Sequence, residues 1–313
     1  MSDASRHAIY SVAETSYGVT PATPVFETLR HTACSLGMSK DITVSEELRA
    51  DRQIKCAKHG VKNVAGDIGF EISYATYDNE LEATMMGTWD IDGGGVGVDR
   101  LTAGTTRRSF TILRHFSDQQ SGDKPYHRFT GCEYNSMNLS VSPVGTLTGT
   151  FSLIGQDYLV ETAEPAGATY NVASDNCPFN GFTGSVKIDG SPISIITELT
   201  LTVENGMETR NVVGSDFTQL PTVGRSNITG QATMYFDNSA QVEKFLNETE
   251  SSIEFELNDG TNHYEFLLPR VTYTGGANPD VSGEGAITLA VPFQALVDDT
   301  TVLSNIQIDR SAV

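Results

Sequence analysis

The chain has 313 residues, which is enough for two domains of ordinary size. Hydrophobic residues make up 38% of it and charged residues 19%, a composition typical of a globular protein rather than a disordered one. The net charge of −20, from 40 acidic and 20 basic residues, argues against a general nucleic-acid binder with a basic face, although plain solubility explains the charge equally well.

The N-terminal segment is polar and carries spaced aromatic residues and two prolines. Pro21 and Pro24 oppose both a helix and a central strand. We therefore predict an N-terminal arm over residues 1–30, which either frays or lies across a neighbouring molecule.

A first β-rich unit is predicted over residues 31–157. Asp67–Tyr74 alternates apolar and polar residues, as a half-buried strand requires, and Arg108–Arg114 indicates another strand. Asp78–Met86 has the pattern of a short helix. Trp89–Thr106 is rich in glycine but lacks the GxxxxGK[ST] pattern of a phosphate-binding loop, so we predict a flexible surface loop.

Two long polar segments lie at matching positions in the chain. Ser45–Gly60 joins two predicted strands and mixes basic with acidic residues, and Asn205–Arg225 is its turn-rich counterpart. Connections of this length without core residues of their own tend to be functional. We predict that both segments contact a neighbouring subunit.

A second β-rich unit is predicted over residues 181–294, after a linker at residues 158–180 that is poor in core residues. Within this unit, Ser226–Leu257 has the pattern of a strand, a helix and a second strand, with the helix over Ser239–Asn247. The acidic residues 295–313 are predicted to form a C-terminal arm.

The two units resemble each other. Val61–Gly66 (VKNVAG) resembles Gly224–Gly230 (GRSNITG), and each is followed by an alternating strand and a short helix. This similarity predicts a duplicated chain with a repeat of roughly 160 residues, a longer period than solenoid proteins show. The alternative is that two β-rich domains share this plan by chance.

No catalytic or cofactor-binding motif is evident. The histidines are scattered and the cysteines form no CxxC pair, so neither indicates a metal site. His115, Asp118 and Asp123 flank a hairpin loop, where polar residues are expected anyway. We predict no enzymatic activity, no cofactor and no metal. The absence of a signal sequence or membrane-spanning run predicts a protein made in the cytoplasm.

Four stretches of the sequence resemble the major tail tube proteins of long-tailed bacteriophages. They are Leu36–Gln53 with its LRADRQ run, the strand-to-helix pattern of Gly230–Leu246, LLPRVTYTG at Leu267–Gly275, and the closing GEGAITLAVPFQAL. Together they extend the resemblance over most of the chain.

The resemblance implies a mainly β fold of two tandem β-sandwich or barrel units, each flanked by a short α-helix. It further implies that the inner strands form a continuous barrel in a ring of subunits, and that stacked rings form the tail tube through which DNA is ejected into the host. The simplest family members carry one unit. A duplicated chain is therefore predicted to form a trimer with pseudo-sixfold symmetry, and closure removes exposed strand edges.

The resemblance also implies the partners. They are other copies of the chain, within and between rings, and the tail terminator, tape-measure and tail-tip proteins. DNA is expected to pass through the lumen without specific binding, because a like-charged wall repels phosphate. The predicted location is the virion tail, with no membrane anchor.

Two sets of residues are predicted to serve assembly and helix packing. The residues predicted to contact a neighbouring subunit or ring are Arg49, Asp51, Arg52, Lys55, Lys58, Arg210, Asp216 and Phe217. The residues predicted to pack the two helices on the sandwiches are Leu81, Met85, Val242, Phe245 and Leu246.

The alternative to a tube protein is a β-sandwich that binds a carbohydrate or a receptor, such as an adhesin. That function predicts a concave aromatic patch, and the aromatic residues, 8% of the chain, do not cluster in one stretch of the sequence. An enzyme is disfavoured because no set of residues meets the geometric requirements of a catalytic site.

Overall fold

The computed structural model describes residues 3–120, 122–181, 183–276, 278–281 and 284–312. Met1, Ser2 and Val313, at the ends of the two predicted arms, lie outside these residues. The strands of the first half are β1 (His7–Ala13), β2 (Val25–Leu29), β3 (Ala33–Cys34), β4 (Gly37–Val44), β5 (Ala57–Glu71), β6 (Asp90–Gly95), β7 (Val98–Thr102), β8 (Phe110–Phe116), β9 (Tyr126–Val141), β10 (Thr148–Gly155), β11 (Asp157–Glu161) and β12 (Thr169–Asn171).

The second half continues with strands of similar length. They are β13 (Ser185–Ile188), β14 (Ser191–Pro192), β15 (Ile196–Glu204), β16 (Glu208–Arg210), β17 (Gln219–Thr222), β18 (Asn227–Tyr235), β19 (Ser251–Asn258), β20 (Asn262–Tyr273), β21 (Thr288–Ala295) and β22 (Gln307–Ala312). The α-helices are α1 (Asp78–Met85) and α2 (Ala240–Leu246), and a short 3-10 helix spans Ala4–Arg6. The predicted mainly β fold is therefore confirmed.

Most strands belong to three layers. A long sheet has the order β4-β5-β10-β9-β15-β18-β21-β20. A first flanking sheet has the order β12-β2-β1-β8-β9-β11. A second flanking sheet has the order β14-β13-β19-β20-β22-β7-β6. Within the described residues the sheets stay open and none closes into a barrel.

Two long strands connect the layers. The N-terminal part of β9 pairs with β8 and β11 in the first flanking sheet, and its C-terminal part pairs with β10 and β15 in the long sheet. β20 likewise pairs with β22 near its start and with β21 at its end. Each of these strands therefore folds the long sheet back over a flanking sheet, and apolar side chains fill the space between them.

The core is built from aligned rows of apolar residues across the long sheet. One row consists of Ile68, Phe151, Met137, Val203 and Ile228, on five neighbouring strands, and none of them is more than 1% exposed. Phe151 stacks on Phe70 with ring centroids 4.2 Å apart. Because side chains alternate between the two faces of a strand, the neighbouring positions in each strand form the opposite face of the sheet.

Helix α1 confirms the predicted first helix to within one residue. Leu81 and Met85 are 1% and 2% exposed and belong to the core, as the sequence predicts. The helix ends where Met86 takes a left-handed conformation (φ 49°). The same helix also buries a carboxyl group: Glu80 is 3% exposed and accepts a hydrogen bond of 3.2 Å from the Ser11 hydroxyl of β1.

Replacement of Glu80 by glutamine is expected to stabilise the chain at alkaline pH. Burial raises the pKa of Glu80 from 4.5 to about 7. The folded chain therefore binds more protons than the unfolded chain between these values, and folding stability falls as pH rises through that window. A shift of this size corresponds to about 3 kcal/mol at pH 8, a cost that a neutral glutamine avoids.

The measurement is the free energy of unfolding in urea at pH 8 and at pH 5, for the natural chain and for Glu80→Gln. Glu198→Gln, a change at an exposed glutamate of β15, is the matched control and should leave the pH dependence unaltered. Equal pH dependence of the natural chain and Glu80→Gln would contradict the prediction.

Helix α2 confirms the predicted second helix, also to within one residue. Val242 and Phe245 are partly buried and pack against the core. Leu246, which was predicted to pack with them, is instead 66% exposed. Leu246 lies four residues after Val242 but is the last residue of this seven-residue helix, none of whose residues is fully buried, so the contact with the core does not extend to it.

Several segments predicted to lack a core are strands of the flanking sheets. β1 and β2 lie within the predicted N-terminal arm, and β11 and β12 lie within or next to the predicted linker. The predicted C-terminal arm contains β22, which pairs with both β20 and β7. The glycine-rich segment predicted as a surface loop forms the hairpin of β6 and β7. β1 pairs with β8, β12 with β2 and β22 with β7, all far away in the sequence, so local composition gave no sign of these pairings. β6 and β7, by contrast, are neighbours in the sequence.

Candidate assembly surfaces

β4 is an edge strand of the long sheet. It pairs with β5 in a register that runs from Gly37↔Ala65 to Val44↔Ala57, and no described strand pairs with its other side. Its last six residues, Ser39–Val44, are exposed. An exposed edge of this length is a ready template for pairing with a strand of another chain.

The hydrogen bonds of this hairpin show which backbone groups of β4 point outward. Ser35 N donates to Asp67 O at 2.8 Å. Hydrogen-bonded and non-hydrogen-bonded pairs alternate along an antiparallel ladder. In the register of β4 with β5, the N–H of Ser39 therefore faces β5 and the N–H of Lys40 faces away from it. β4 thus presents outward donors to a further strand.

Residues 40–62 form what we call the basic hairpin. Six Lys or Arg residues stand there against four acidic ones, in a chain whose net charge is −20. Its tip, residues 45–56, is exposed at every position except Arg49, which is half-buried. Leu48 is 100% and Ile54 73% exposed. The tip therefore combines basic and apolar side chains that nothing else in the described chain covers.

The structure brings five of the predicted contact residues together on this hairpin. Arg49 donates two hydrogen bonds to Asp51, from Nε to Oδ1 at 3.0 Å and from Nη2 to Oδ2 at 2.7 Å. This pairing raises the pKa of Arg49 and lowers that of Asp51. It braces the turn at Arg52, which has a left-handed backbone (φ 57°). Arg52, Lys55 and Lys58 point into solvent.

The second predicted contact segment forms a hairpin of β16 and β17 that folds onto the first half of the same chain. Lys62 N donates to Asp216 O at 2.8 Å, and Lys62 Nζ lies 2.9 Å from Asp157 Oδ1 and 3.3 Å from Asp216 Oδ2. The hydrogen bond to Asp157 is the main cause of a raised Lys62 pKa. Phe217 pairs with Lys62 as a parallel bridge, and Arg210 lies exposed in β16.

A cavity next to Phe217 marks this contact. It has a volume of about 360 Å³ and is lined by Val19, Arg128, Leu159 and Phe217 among others. Phe217 of the second hairpin therefore shares this cavity with β11 and the segment after β1. Two of the predicted contact residues, Asp216 and Phe217, thus make a contact between the two halves of one chain.

The two halves also share a strand seam. β9 pairs with β15 over six residues, from Val141↔Leu199 to Ser136↔Glu204. Asn138 Nδ2 donates to Thr202 Oγ1 across it at 2.9 Å. At the end of the seam the buried amide of Asn205 donates to Thr84 O and Tyr134 O at 2.9 and 3.2 Å. The long sheet is therefore continuous from β4 to β20.

The face of the long sheet opposite the core is what we call the polar face. Its aligned rows are Glu71, Thr148, Ser140, Thr200 and Gln231; Gly69, Thr150, Asn138, Thr202 and Thr229; and Asp67, Ser152, Ser136, Glu204 and Asn227. These rows hold hydroxyls, amides and carboxylates, and no Lys or Arg. Ser152 donates to Asp67 across neighbouring strands at 2.6 Å. Glu198 lies on the same face of β15, two residues before Thr200.

The sequence indicated the two long connections but not that they form hairpins, and it did not indicate the polar face. The alternation in β15 of Leu199, Leu201 and Val203 with Thr200 and Thr202 was visible as a strand pattern. It did not show that the threonines of this strand align with serines and asparagines of β9, because that alignment depends on a pairing 64 residues apart in sequence. The small polar residues at alternate positions of several strands were the available signal.

The structure bears on two other kinds of site. In the part of the chain that it describes, no group of three or more His, Cys, Asp or Glu side chains is placed to hold a metal ion. No helix among those residues is long and apolar enough to cross a membrane.

Comparison with known families gives one match. The model of a family described as phage tail tube protein matches residues 4–295. The matched range contains β1 through β21, and thus both hairpins, the seam and the long sheet. Comparison with curated proteins gives no match.

Proposed function

The chain belongs to the phage tail tube protein family, and on this premise we propose that its copies assemble into the stacked rings of a tail tube. Three chains form each ring, and their long sheets join edge to edge into the inner wall. Stacked rings give the channel through which DNA leaves the virion, and the remaining tail proteins of the family act as partners at its ends and in its lumen.

A duplicated chain is the first element of the proposal, and matching strand pairings support it. The order β4-β5-β10-β9 in the first half corresponds to β15-β18-β21-β20 in the second. β8 beside β9 corresponds to β19 beside β20, and β11 beside β9 corresponds to β22 beside β20. α1 and α2 follow β5 and β18 in turn. Three chains then supply six units, which is the pseudo-sixfold ring.

Local details of the two halves agree with this correspondence. The β8–β9 register shifts between Phe110 and Ile112, and the β19–β20 register shifts at the same place, between Ser251 and Ile253. A Cβ added to Gly66 would lie 2.4 Å from Leu36 Cα, and one added to Gly230 would lie 2.4 Å from Thr200 O. Both glycines thus allow a close approach to the preceding strand of the sheet.

The strand pairings also suggest where the units begin and end. The first unit starts at β1 rather than at residue 31, because β1 and β2 complete the sheet that contains β8. The second unit ends at β22 rather than at residue 294, because β22 completes the sheet that contains β20. Neither chain end is then a free arm in our proposal.

The seam inside the chain is the basis for the proposed joints between chains. β15 is the first strand of the long sheet in the second half, and β9 of the first half pairs with its outer side. β4 is the corresponding first strand of the first half, and its outer side has no described partner. We propose that the second half of the neighbouring chain pairs there, so that the ring closes without an exposed edge.

The polar face is proposed to line the lumen. It carries the carboxylates of Asp67, Glu71, Glu198 and Glu204 among hydroxyl and amide groups. Lys and Arg, which bind DNA phosphates by displacing counterions, are absent from its aligned rows. A wall of this kind repels the DNA backbone and lets the duplex pass without sticking.

Electron microscopy of the purified chain tests this function. At high protein concentration we expect rings or tubes in negative stain, with a central hole wide enough for a DNA duplex. End-on class averages should show six similar lobes built from three chains. A protein that stays monomeric at all concentrations, or that forms solid filaments without a hole, would contradict the proposal.

A further inference from the structure

The fold of a single chain contains one hairpin-tip contact. The connection between β16 and β17 packs onto the first half, where Asp216 and Phe217 meet Lys62 and Asp157. Lys62 lies in β5 beyond the end of β10, so Asp216 and Phe217 occupy the place beside β5 that β10 leaves free. In the first half, therefore, the bonded pair of Lys62 and Asp157 marks the place where the hairpin tip of the second half sits.

The second half has the corresponding pair of positions. If Gly66 corresponds to Gly230, then Lys62 corresponds to Ser226, which precedes β18 and is exposed. When the pairing of β22 with β20 is extended by two residues before Gln307, Asn305 lies beside β20. This is the position that Asp157 occupies beside β9 in the first half. Asn305 Nδ2 indeed donates to Ser226 O and Oγ, both at 3.4 Å.

An exposed apolar and acidic surface surrounds this second pair. The connection from β21 to β22 carries Val297 and Leu303, which are 46% and 71% exposed. It also carries Asp299, which is exposed, and Asp298, whose carboxylate accepts backbone hydrogen bonds from residues 300–302 and so fixes the loop. Residues 181–313 contain eighteen acidic and six basic residues, a net charge of −12.

The tip of the basic hairpin has the complementary properties. Leu48 and Ile54 are 100% and 73% exposed, and Arg52 and Lys55 lie beside them in solvent. It is also the structural counterpart of the tip that carries Phe217, since both connect the first two strands of a unit in the long sheet. The apolar side chains of the tip can therefore pack on the apolar side chains of the β21–β22 connection, and its basic side chains can pair with the acidic ones there.

The tip cannot reach this surface in its own chain. β4 and β20 stand at opposite ends of the eight-stranded long sheet. Ser226 and the β21–β22 connection lie next to β18 and β21, five and six strands from β4, so at the usual spacing of strands the surface is about 24–29 Å from β4 along the sheet. A hairpin tip on this surface must therefore come from a second copy of the chain.

We propose that the tip of the basic hairpin, residues 45–56, docks on Ser226, Asn305 and the β21–β22 connection of a neighbouring chain. The contact is lateral, between units side by side in one ring, and repeats the contact of Asp216 and Phe217 with Lys62 inside the chain. It rests on the proposed tube function and assigns the surface that receives this hairpin.

A cysteine cross-link distinguishes lateral docking from docking between rings. Cys56 and Cys177, both exposed, are first replaced by serine. Ile54→Cys is then combined with Leu303→Cys in one chain and with Val144→Cys in another, and assembled samples are treated with a short bismaleimide. Leu303 lies at the strand ends from which both hairpin tips project, so lateral docking brings it close to the tip of a neighbouring chain. Val144 is 84% exposed in the turn before β10, at the opposite ends of the strands, where a ring stacked on that side would contact it.

We expect covalent oligomers with Leu303→Cys and none with Val144→Cys. Tubes without a cross-link at Leu303, or with one at Val144 instead, would overturn lateral docking and leave the tube function standing. Absence of any rings or tubes from the unsubstituted chain would overturn both proposals.

A charge exchange gives a second, independent measurement. Lys55→Glu is expected to raise the protein concentration at which tubes appear by about tenfold, because it places like charges in contact. Asp299→Lys in the same chain should restore the original concentration. Failure of the double variant to recover, with its fold intact by circular dichroism, would count against contact between these two residues.

Discussion

Lys40→Pro is expected to abolish ring and tube formation while leaving the chain folded. The N–H of Lys40 faces away from β5, so its loss removes no hydrogen bond within the hairpin. Proline is tolerated on edge strands for this reason, but it cannot donate to a strand that pairs on the outer side, and its ring obstructs that side. If rings close through the outer edge of β4, no closed ring can form.

The matched control is Lys40→Ala, which removes the same side chain and keeps the N–H. Its rings and tubes should resemble those of the natural chain. Sedimentation and negative-stain microscopy report the assembly, and circular dichroism with urea unfolding reports the fold of each variant. Normal tubes from folded Lys40→Pro protein would show that β4 does not form the joint between chains.

Phe151→Ala is expected to lower the free energy of unfolding by roughly 3–5 kcal/mol. Phe151 is fully buried in the row of core residues behind the polar face. Its ring stacks on Phe70 at 4.2 Å and meets Tyr134 edge-on at 5.4 Å between centroids. Truncation to alanine leaves a cavity. The three neighbouring strands cannot move in to fill it, because backbone hydrogen bonds hold them in register.

Urea unfolding of the monomeric chain measures this loss. Leu246→Ala is the control for a change of apolar side chain, because Leu246 is 66% exposed, and its effect should stay within about 0.5 kcal/mol. A loss below about 1 kcal/mol for Phe151→Ala would mean that the core between the long sheet and the first flanking sheet is looser than described.

The local elements of this chain were predictable from its sequence. α1 and α2 begin and end within one residue of their predicted bounds, because the spacing of apolar side chains that indicates a helix acts within a few positions. Leu81 and Met85 were assigned to the core correctly for the same reason. Leu246 was not, because it ends a short helix that is only partly buried against the core.

The strands inside the segments predicted as arms and linker were not predictable, for a different reason. β1 pairs with β8 about a hundred residues later, and β22 pairs with β7 about two hundred residues earlier. Neither strand has the strong alternation of β15, since their stability comes from partners brought together by the fold. A strand of this kind cannot be recognised from its own composition.

Of the assembly surfaces, likewise, one was predictable from the sequence and another was not. The basic hairpin was predictable because a long polar segment with clustered charges stands out in any sequence. The contact of Phe217 with the first half was not, although Phe217 itself was singled out as a contact residue.

The sequence by itself determined that this is a mainly β chain with two short helices and two long polar hairpin connections, because side-chain period and turn chemistry are local properties. Only the tertiary structure decided that β9 and β15 join the halves into one sheet, and that the acidic and hydroxyl side chains of five strands share a single face. Strand register sets both, and register depends on partner strands at any distance along the chain.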